Sequence, residues 1–146
     1  MARFQFFRTD RQHVRWRLLG GNNRVLGVSA NSLHSYAAAL AEVTLVQKHS
    51  SSADFELEHV QGGLWWWRMS VDDVELARAA RGFARRVDAV LSGRRFSQRA
   101  PRADIDGTLV VFHPGRRGRE ITLNLDSADE ADEEPLYERG VPLAEG

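Results

Sequence analysis

Sliding the chain over itself by 51 residues, without a gap, superposes two sets of apolar residues with the same spacings. Phe4 falls on Phe55, Trp16 on Trp67, Arg17 on Arg68, Ala38 on Ala89 and Leu40 on Leu91. Apolar pairs fill the same register: Phe6 with Leu57, Val14 with Trp65, Leu18 with Met69, Val25 with Leu76 and Val28 with Ala79. Few of these positions are identical, and the weight lies in where they fall, at the spacing of strands and of a helix. A repeated supersecondary unit constrains the fold strongly, because each copy buries its apolar face only with its neighbour's help.

Within the first copy, Phe4 and Phe6 alternate with polar neighbours, and so do Val14, Trp16 and Leu18. A period of two marks half-buried strands. Gly20-Gly21-Asn22-Asn23 tolerates positive φ and reads as the turn into a third strand over Arg24–Ser29. Leu33, Tyr36, Leu40 and Val43 then follow the spacing of a helix stripe, with Asn31 or Ser32 as the cap. Lys48–Asp54 is polar and forms the joint. The second copy repeats the plan with Phe55 and Leu57, with Trp65, Trp67 and Met69, and with a third strand over Glu75–Ala80. Its helix stripe is weaker, Ala84, Val87 and Leu91, and Gly93 is expected to end it before Arg94-Arg95.

Past residue 103 the repeat stops. Thr108–His113 and Glu120–Leu125 are two β-rich runs around a basic turn, Pro114–Arg119. The last 21 residues are acidic, poor in large apolar side chains and proline-interrupted, a composition that does not fold alone. The sequence thus divides into a first unit at 1–53, a second at 54–102, a hairpin at 103–125 and an acidic tail at 126–146. With 146 residues and 42% hydrophobic content there is material for one core, so the units are expected to form a single compact domain.

Residues 4–47 bring together F-x-F, V-R-W-R-L, an Asn turn, V-L-G-V-S and a helix containing Tyr36, and in this they resemble the YegP-like family of small tandem proteins of unknown function. The likeness is strongest in Val14-Arg15-Trp16-Arg17-Leu18, Ser29 and Tyr36. In the second unit Trp66-Trp67-Arg68-Met69 survives, the turn is Asp72-Asp73, and the serine and tyrosine positions hold Ala80 and Val87. The resemblance covers roughly residues 3–100 and implies an α+β fold of two β-β-β-α-β units. They would share one antiparallel sheet with helices on one face, and copies or subunits would exchange the strand after each helix. Asp54–His59 would then close the first unit and open the second, and the hairpin would close the second. The family carries no established activity.

Several functional classes drop out on composition. No apolar run approaches the roughly 20 residues of a membrane span. The N-terminus lacks the apolar stretch of a secretion signal, and the absence of cysteine rules out disulfides and thiolate metal sites. A soluble cytoplasmic protein, not bound to a membrane, is the expectation. The zero net charge sums two opposed regions: residues 1–125 hold 19 basic and 12 acidic residues, whereas 126–146 hold one basic and eight acidic. Of the 20 basic residues, 19 are arginine, a bias that genome composition explains as well as selection for guanidinium chemistry does.

Two arginine sets are candidate binding residues. Strand alternation puts Arg15, Arg17, Trp66 and Arg68 on the face opposite the core, where guanidinium groups beside an indole suit bases or phosphates. A solvated face whose arginine stems cover apolar surface is the plainer account of the same pattern. The second set runs along residues 78–102, where eight arginines, including Arg85, Arg86, Arg94 and Arg95, face one acid, Asp88. Such a segment can grip a phosphate backbone, or it can be neutralised by the tethered acidic tail. Asp104-Ile105-Asp106-Gly107-Thr108-Leu109 spells the start of a dehalogenase-like phosphatase site. Without a buried strand before it, a helix after it or a downstream lysine, it reads as coincidence. The five histidines have no metal-ligand spacing. No catalytic residue, metal or cofactor is therefore expected. The sequence points to a binding or scaffolding protein for nucleic acid or another polyanion, with a homodimer assembled by strand exchange as the alternative.

Overall fold

The computed structural model describes residues 1–10, 12–111 and 119–121. The acidic tail and the turn of the expected C-terminal hairpin lie outside the described residues. Three strands, β1 (Arg3–Asp10), β2 (His13–Leu19) and β3 (Val25–Ser29), lead into helix α1 (Tyr36–His49). Three more, β4 (Asp54–Val60), β5 (Leu64–Val71) and β6 (Val74–Arg78), lead into α2 (Arg86–Arg99). A 3-10 turn (Ala100–Arg102) feeds β7 (Asp104–Val111), and β8 (Arg119–Ile121) pairs antiparallel with β7. The fold is α+β. Its single sheet has the order β4-β5-β6-β3-β2-β1-β7-β8.

The sheet is mixed rather than antiparallel throughout. All its ladders are antiparallel except β1 with β7, which run parallel. The chain leaves α2 at the end of the sheet where β1 begins: the Asp104 amide donates to the Ala2 carbonyl at 3.0 Å, and Arg3 stands opposite Asp104. Entering beside the start of β1, β7 can only run in its direction. Asp54–Val60 therefore does not close the first half. It pairs with β5 at the far edge, and β7 lies against β1 instead.

The two halves keep the 51-residue offset only as far as the second strand. Arg17 pairs with Val28 and Leu18 with Gly27, while Arg68 pairs with Arg78 and Met69 with Ala77, so from the third strand onward the offset is 50. The difference lies in the turn. Asp72 and Asp73 both take positive φ (52° and 67°) in a two-residue hairpin connection, where the first half uses a longer loop through Gly20 and Asn23. The correct partners of Ser29 and Tyr36 are accordingly Ala79 and Arg86, not Ala80 and Val87, and Ala39 rather than Ala38 matches Ala89.

Both helices cover the same face of the sheet. On α1 the buried side chains are Tyr36, Ala39, Glu42, Val43 and Val46, and on α2 they are Ala89, Gly93 and Phe96. The expected stripe of Ala84, Val87 and Leu91 is off by two positions, and Val87 and Leu91 are exposed. Gly93 does not end α2. It sits in the middle of the helix against Trp67, where an added Cβ would lie 3.3 Å from Trp67 Cγ and from Phe55 Cδ2. Ser35, not Asn31 or Ser32, caps α1, its Oγ accepting from the Ala38 amide at 3.1 Å. Asn31 instead donates its Nδ2 to the Glu75 carbonyl across the junction between the halves.

That junction is thin in the sheet and thick in the core. β3 and β6 share two residue pairs, Val28 with Arg78 and Ser29 with Ala77. Above them Phe96 inserts between the indoles of Trp16 (6.4 Å between centroids) and Trp67 (5.0 Å). Gly27 makes the space, since a Cβ there would sit 2.5 Å from the Phe96 ring. Phe4, Phe6, Trp16, Trp67, Met69 and Phe96 form one continuous core, each side chain contributing about 2–3 kcal/mol by its removal from water.

Candidate anion-binding surface

The arginines of the two expected sets are divided by the fold among three environments. On the outer face of the sheet they are engaged locally. Arg15 donates from Nη2 to the Ser29 carbonyl at 2.6 Å, and burial, then the nearby Arg78 charge, lower its pKa from the ordinary value. Arg17 donates from Nε to Gln5 Oε1 at 2.8 Å, and its guanidinium lies 5.4 Å from the centre of the Phe7 ring. Arg68 bridges Glu56 at 3.1 Å and Glu58 at 3.8 Å. Trp66 is half-buried, opposite Glu58 on the neighbouring strand, and the loop at Gly82 approaches its ring so closely that a Cβ would meet it at 3.0 Å. Its indole is partly covered where an open stacking platform was expected.

The second environment is a cleft of about 970 Å³ between α2, the turn after β2 and the loop before α2. Arg24 enters from the turn, Arg81 from the loop, and Arg95 and Arg99 from successive turns of α2. The one carboxylate in the lining, Asp88, already holds a two-pronged ion pair with Arg85, at 3.0 and 3.2 Å. Arg81 is partly committed, with its guanidinium 4.3 Å from the centre of the Phe83 ring. Four arginines thus line one opening whose only carboxylate is already paired. Of these four, Arg81, Arg95 and Arg99 belong to the arginine set expected along residues 78–102, and Arg24 does not. The i, i+4 spacing of Arg95 and Arg99 was readable in the sequence, but nothing local places Arg24 beside them.

The third is a groove of about 610 Å³ between α2 and the sheet edge at β4, floored by Phe55, Leu57, Trp65 and Trp67 and rimmed by Arg86 and Arg94. Arg86 lies 6.0 Å from the Trp65 ring centre, and His59 stacks on the same indole at 4.2 Å with the rings parallel within 1°. Gly93 opens the roof of this groove.

The remaining sequence signals have structural accounts. The Asp-x-Asp-Gly-Thr stretch forms a bulge in β7: Phe4 and Phe6 stand opposite Ile105 and Leu109, so extra β7 residues loop out between them. Asp106 ties that bulge together, its Oδ1 accepting from the Thr108 amide and hydroxyl and its Oδ2 pairing with Arg3 at 3.3 Å. Among the described residues the motif lies inside β7, which runs on to Val111 instead of turning into a helix, so Asp104 and Asp106 are not at the strand-to-helix turn that the phosphatase chemistry needs. Among the described residues no three His, Asp or Glu side chains cluster as a metal site. The apolar stripe of α1 hid one buried acid: Glu42 accepts from Trp16 Nε1 at 2.7 Å. Ser92, the corresponding residue of α2, accepts from Trp67 Nε1 at 2.9 Å.

No family model matches the chain, and no curated protein sequence matches it. Two solved structures share its fold. A protein from E. coli described as yegP, of unknown function, aligns over 72% of this chain and 90% of its own, with a TM-score of 0.63 and 12% identity. A UPF0339 protein from Shewanella oneidensis aligns over 78% of this chain and 95% of its own, with a TM-score of 0.65 and 10% identity. The chain therefore has the YegP-like fold, in agreement with the resemblance of its first unit. At these identities the likeness speaks for the fold alone. Among the described residues, no helix is long and apolar enough to cross a membrane.

Proposed function

We propose that the chain is a non-catalytic binding protein for polyanions, nucleic acid foremost, and that it engages them along α2 rather than on the open sheet face. The observation that carries this reading is the convergence of Arg24, Arg81, Arg95 and Arg99 on one cleft whose only carboxylate, Asp88, is already paired. Guanidinium groups spaced along a helix suit a run of phosphates, and a site made of such contacts gives affinity without sequence readout. The sheet-face arginines contribute less, because Arg15, Arg17 and Arg68 spend their donors on neighbours within the sheet. The acidic residues 126–146 act as a tethered competitor for the same cleft, and the protein works in the cytoplasm.

The two halves are descended from one duplicated β-β-β-α unit in this reading. Matching details support it: the Val14–Leu33 and Trp65–Phe83 bridges, and the paired indole hydrogen bonds to Glu42 and Ser92. Assembly of a homodimer by strand exchange is the weaker alternative, since β7 of the same chain already lies against β1.

The test is a salt titration of single-stranded DNA binding with the full chain, a 1–125 truncation and arginine variants. Arg95→Ala and Arg99→Ala are expected to weaken binding equally across DNA sequences and to flatten the salt slope by about one unit each, while Arg68→Ala leaves the slope unchanged. The truncation is expected to bind more tightly at low salt. Unchanged slopes in both α2 variants, or no gain on truncation, would refute the reading.

A further inference from the structure

We infer that the outer edge of β4 takes up an extended segment of another protein, one that alternates apolar residues with lysine or arginine, as an added strand beside the aromatic groove. The first half of the molecule shows what such a strand does. There β7 pairs with the outer edge of β1, its Leu109 and Val111 are buried, and Phe4 and Phe6 beneath are fully enclosed. In the second half Phe55 and Leu57 hold the places of Phe4 and Phe6, since Phe6 stands opposite Trp16 and Leu57 opposite Trp67. Among the described residues, β4 has no neighbour on its outer side. Phe55 and Leu57 are only half-buried, and the groove they floor with Trp65 and Trp67 lies where two inward side chains of an added strand would go. Unpaired backbone groups along a strand edge, beside pockets for alternate side chains, make the geometry of strand addition.

Charge selects the occupant. The residues of β4 that face away from the helices are Asp54, Glu56, Glu58 and, at the strand's end, Val60, and Glu56 and Glu58 share a single arginine, Arg68. A second copy of this chain, paired antiparallel along the full strand with both helix layers on one side, would set these acids against the same acids, which opposes pairing. Residues 126–146 of the chain itself carry eight carboxylates and one arginine, and they would meet the same repulsion. A foreign strand with basic residues outward satisfies the three acids and places its apolar residues in the groove, where the stems of Arg86 and Arg94 cover them.

The experiment offers the full chain three capped heptapeptides: alternating Lys-Val, alternating Glu-Val and alternating Lys-Ser. Tryptophan fluorescence reports the groove, and amide hydrogen exchange reports β4. The Lys-Val peptide is expected to bind at least tenfold more tightly than either of the others and to slow exchange of the β4 amides. An E56K/E58K variant should reverse the preference toward Glu-Val while keeping the cooperative thermal transition. Equal binding of the three peptides, or Lys-Val binding without protection of β4, overturns the inference. So does β4 protection in the peptide-free protein that vanishes on removing residues 122–146, which would assign the edge to the tail. Protection that rises with protein concentration together with a dimer mass would assign it to a second copy. A Lys-Val peptide gains nothing from the arginine cleft, so this outcome is independent of polyanion binding.

Discussion

The two halves of the molecule are built on one backbone plan and finished differently. In the first, the strand after α2 returns to cover β1, and the aromatic residues beneath are sealed. In the second, β4 is the edge of the sheet and the equivalent residues floor an open groove. Sealing and opening are therefore not properties of the β-β-β-α unit. They follow from which neighbour the connection out of each helix supplies. The first half is sealed, and the two surfaces capable of recognition flank α2, the arginine cleft, to which the first half contributes Arg24, on one side and the aromatic groove on the other.

The largest expected effect contrasts Phe6 with Leu57. Phe6 is fully enclosed, touching Tyr36 edge-on at 4.8 Å between centroids. Truncation there leaves a cavity that cannot collapse, and Phe6→Ala should cost about 3–5 kcal/mol in urea denaturation. Leu57 faces the open groove, where water already reaches one side, so Leu57→Ala should cost about 1 kcal/mol. Similar losses at the two positions would mean that the groove is closed in solution, and the contrast between the halves would fail.

The strands of both halves were legible in the sequence, the contrast between the halves was not, and the reasons are instructive. Alternating Phe4/Phe6 and Val14/Trp16/Leu18 placed the strands correctly because period-two burial is a local signal. The ungapped repeat misaligned everything after the second strand. A turn can lose one residue without harming either strand, and a two-residue aspartate turn did so. Gly93 read as a helix stop because glycine is a poor helix former, but its value here is the absence of a side chain beneath Trp67. The parallel β7 was beyond local reading, since no sequence spacing reports which strand a returning chain will meet. Of the expected binding residues, the α2 arginines fell on two different surfaces, because Arg94 and Arg95 are neighbours in sequence and point about 100° apart on a helix.

A smaller effect separates the polar anchors beneath the two indoles. Trp67 donates to Ser92, a neutral acceptor, and Ser92→Ala leaves the indole N–H without that partner. The loss should be about 1 kcal/mol and constant between pH 4 and pH 8, measured by thermal or urea unfolding. A loss that varied with pH would show that Trp67 also couples to an ionising group.

At the equivalent place in the first half, Glu42 introduces a pH dependence that the second half lacks. Burial is the main reason its carboxyl titrates above the ordinary 4.5, and the hydrogen bonds from Trp16 and Asn31 and the charge of Arg15 act in the opposite direction without cancelling it. A raised pKa in the folded state means that the native protein holds this proton more tightly than the unfolded chain does. This group's contribution is therefore most favourable below 4.5 and declines as pH rises from there through the folded-state value, after which it is constant. Glu42→Gln keeps an acceptor for the Trp16 indole and removes the ionisation. The variant should match the wild type in melting temperature near pH 4 and exceed it by a few degrees at pH 7. If the glutamine variant instead melts lower at pH 7, the Trp16, Asn31 and Arg15 interactions outweigh burial. Glu42 would then be an ion-pair anchor, and the two indole contacts would differ in strength rather than in their response to pH.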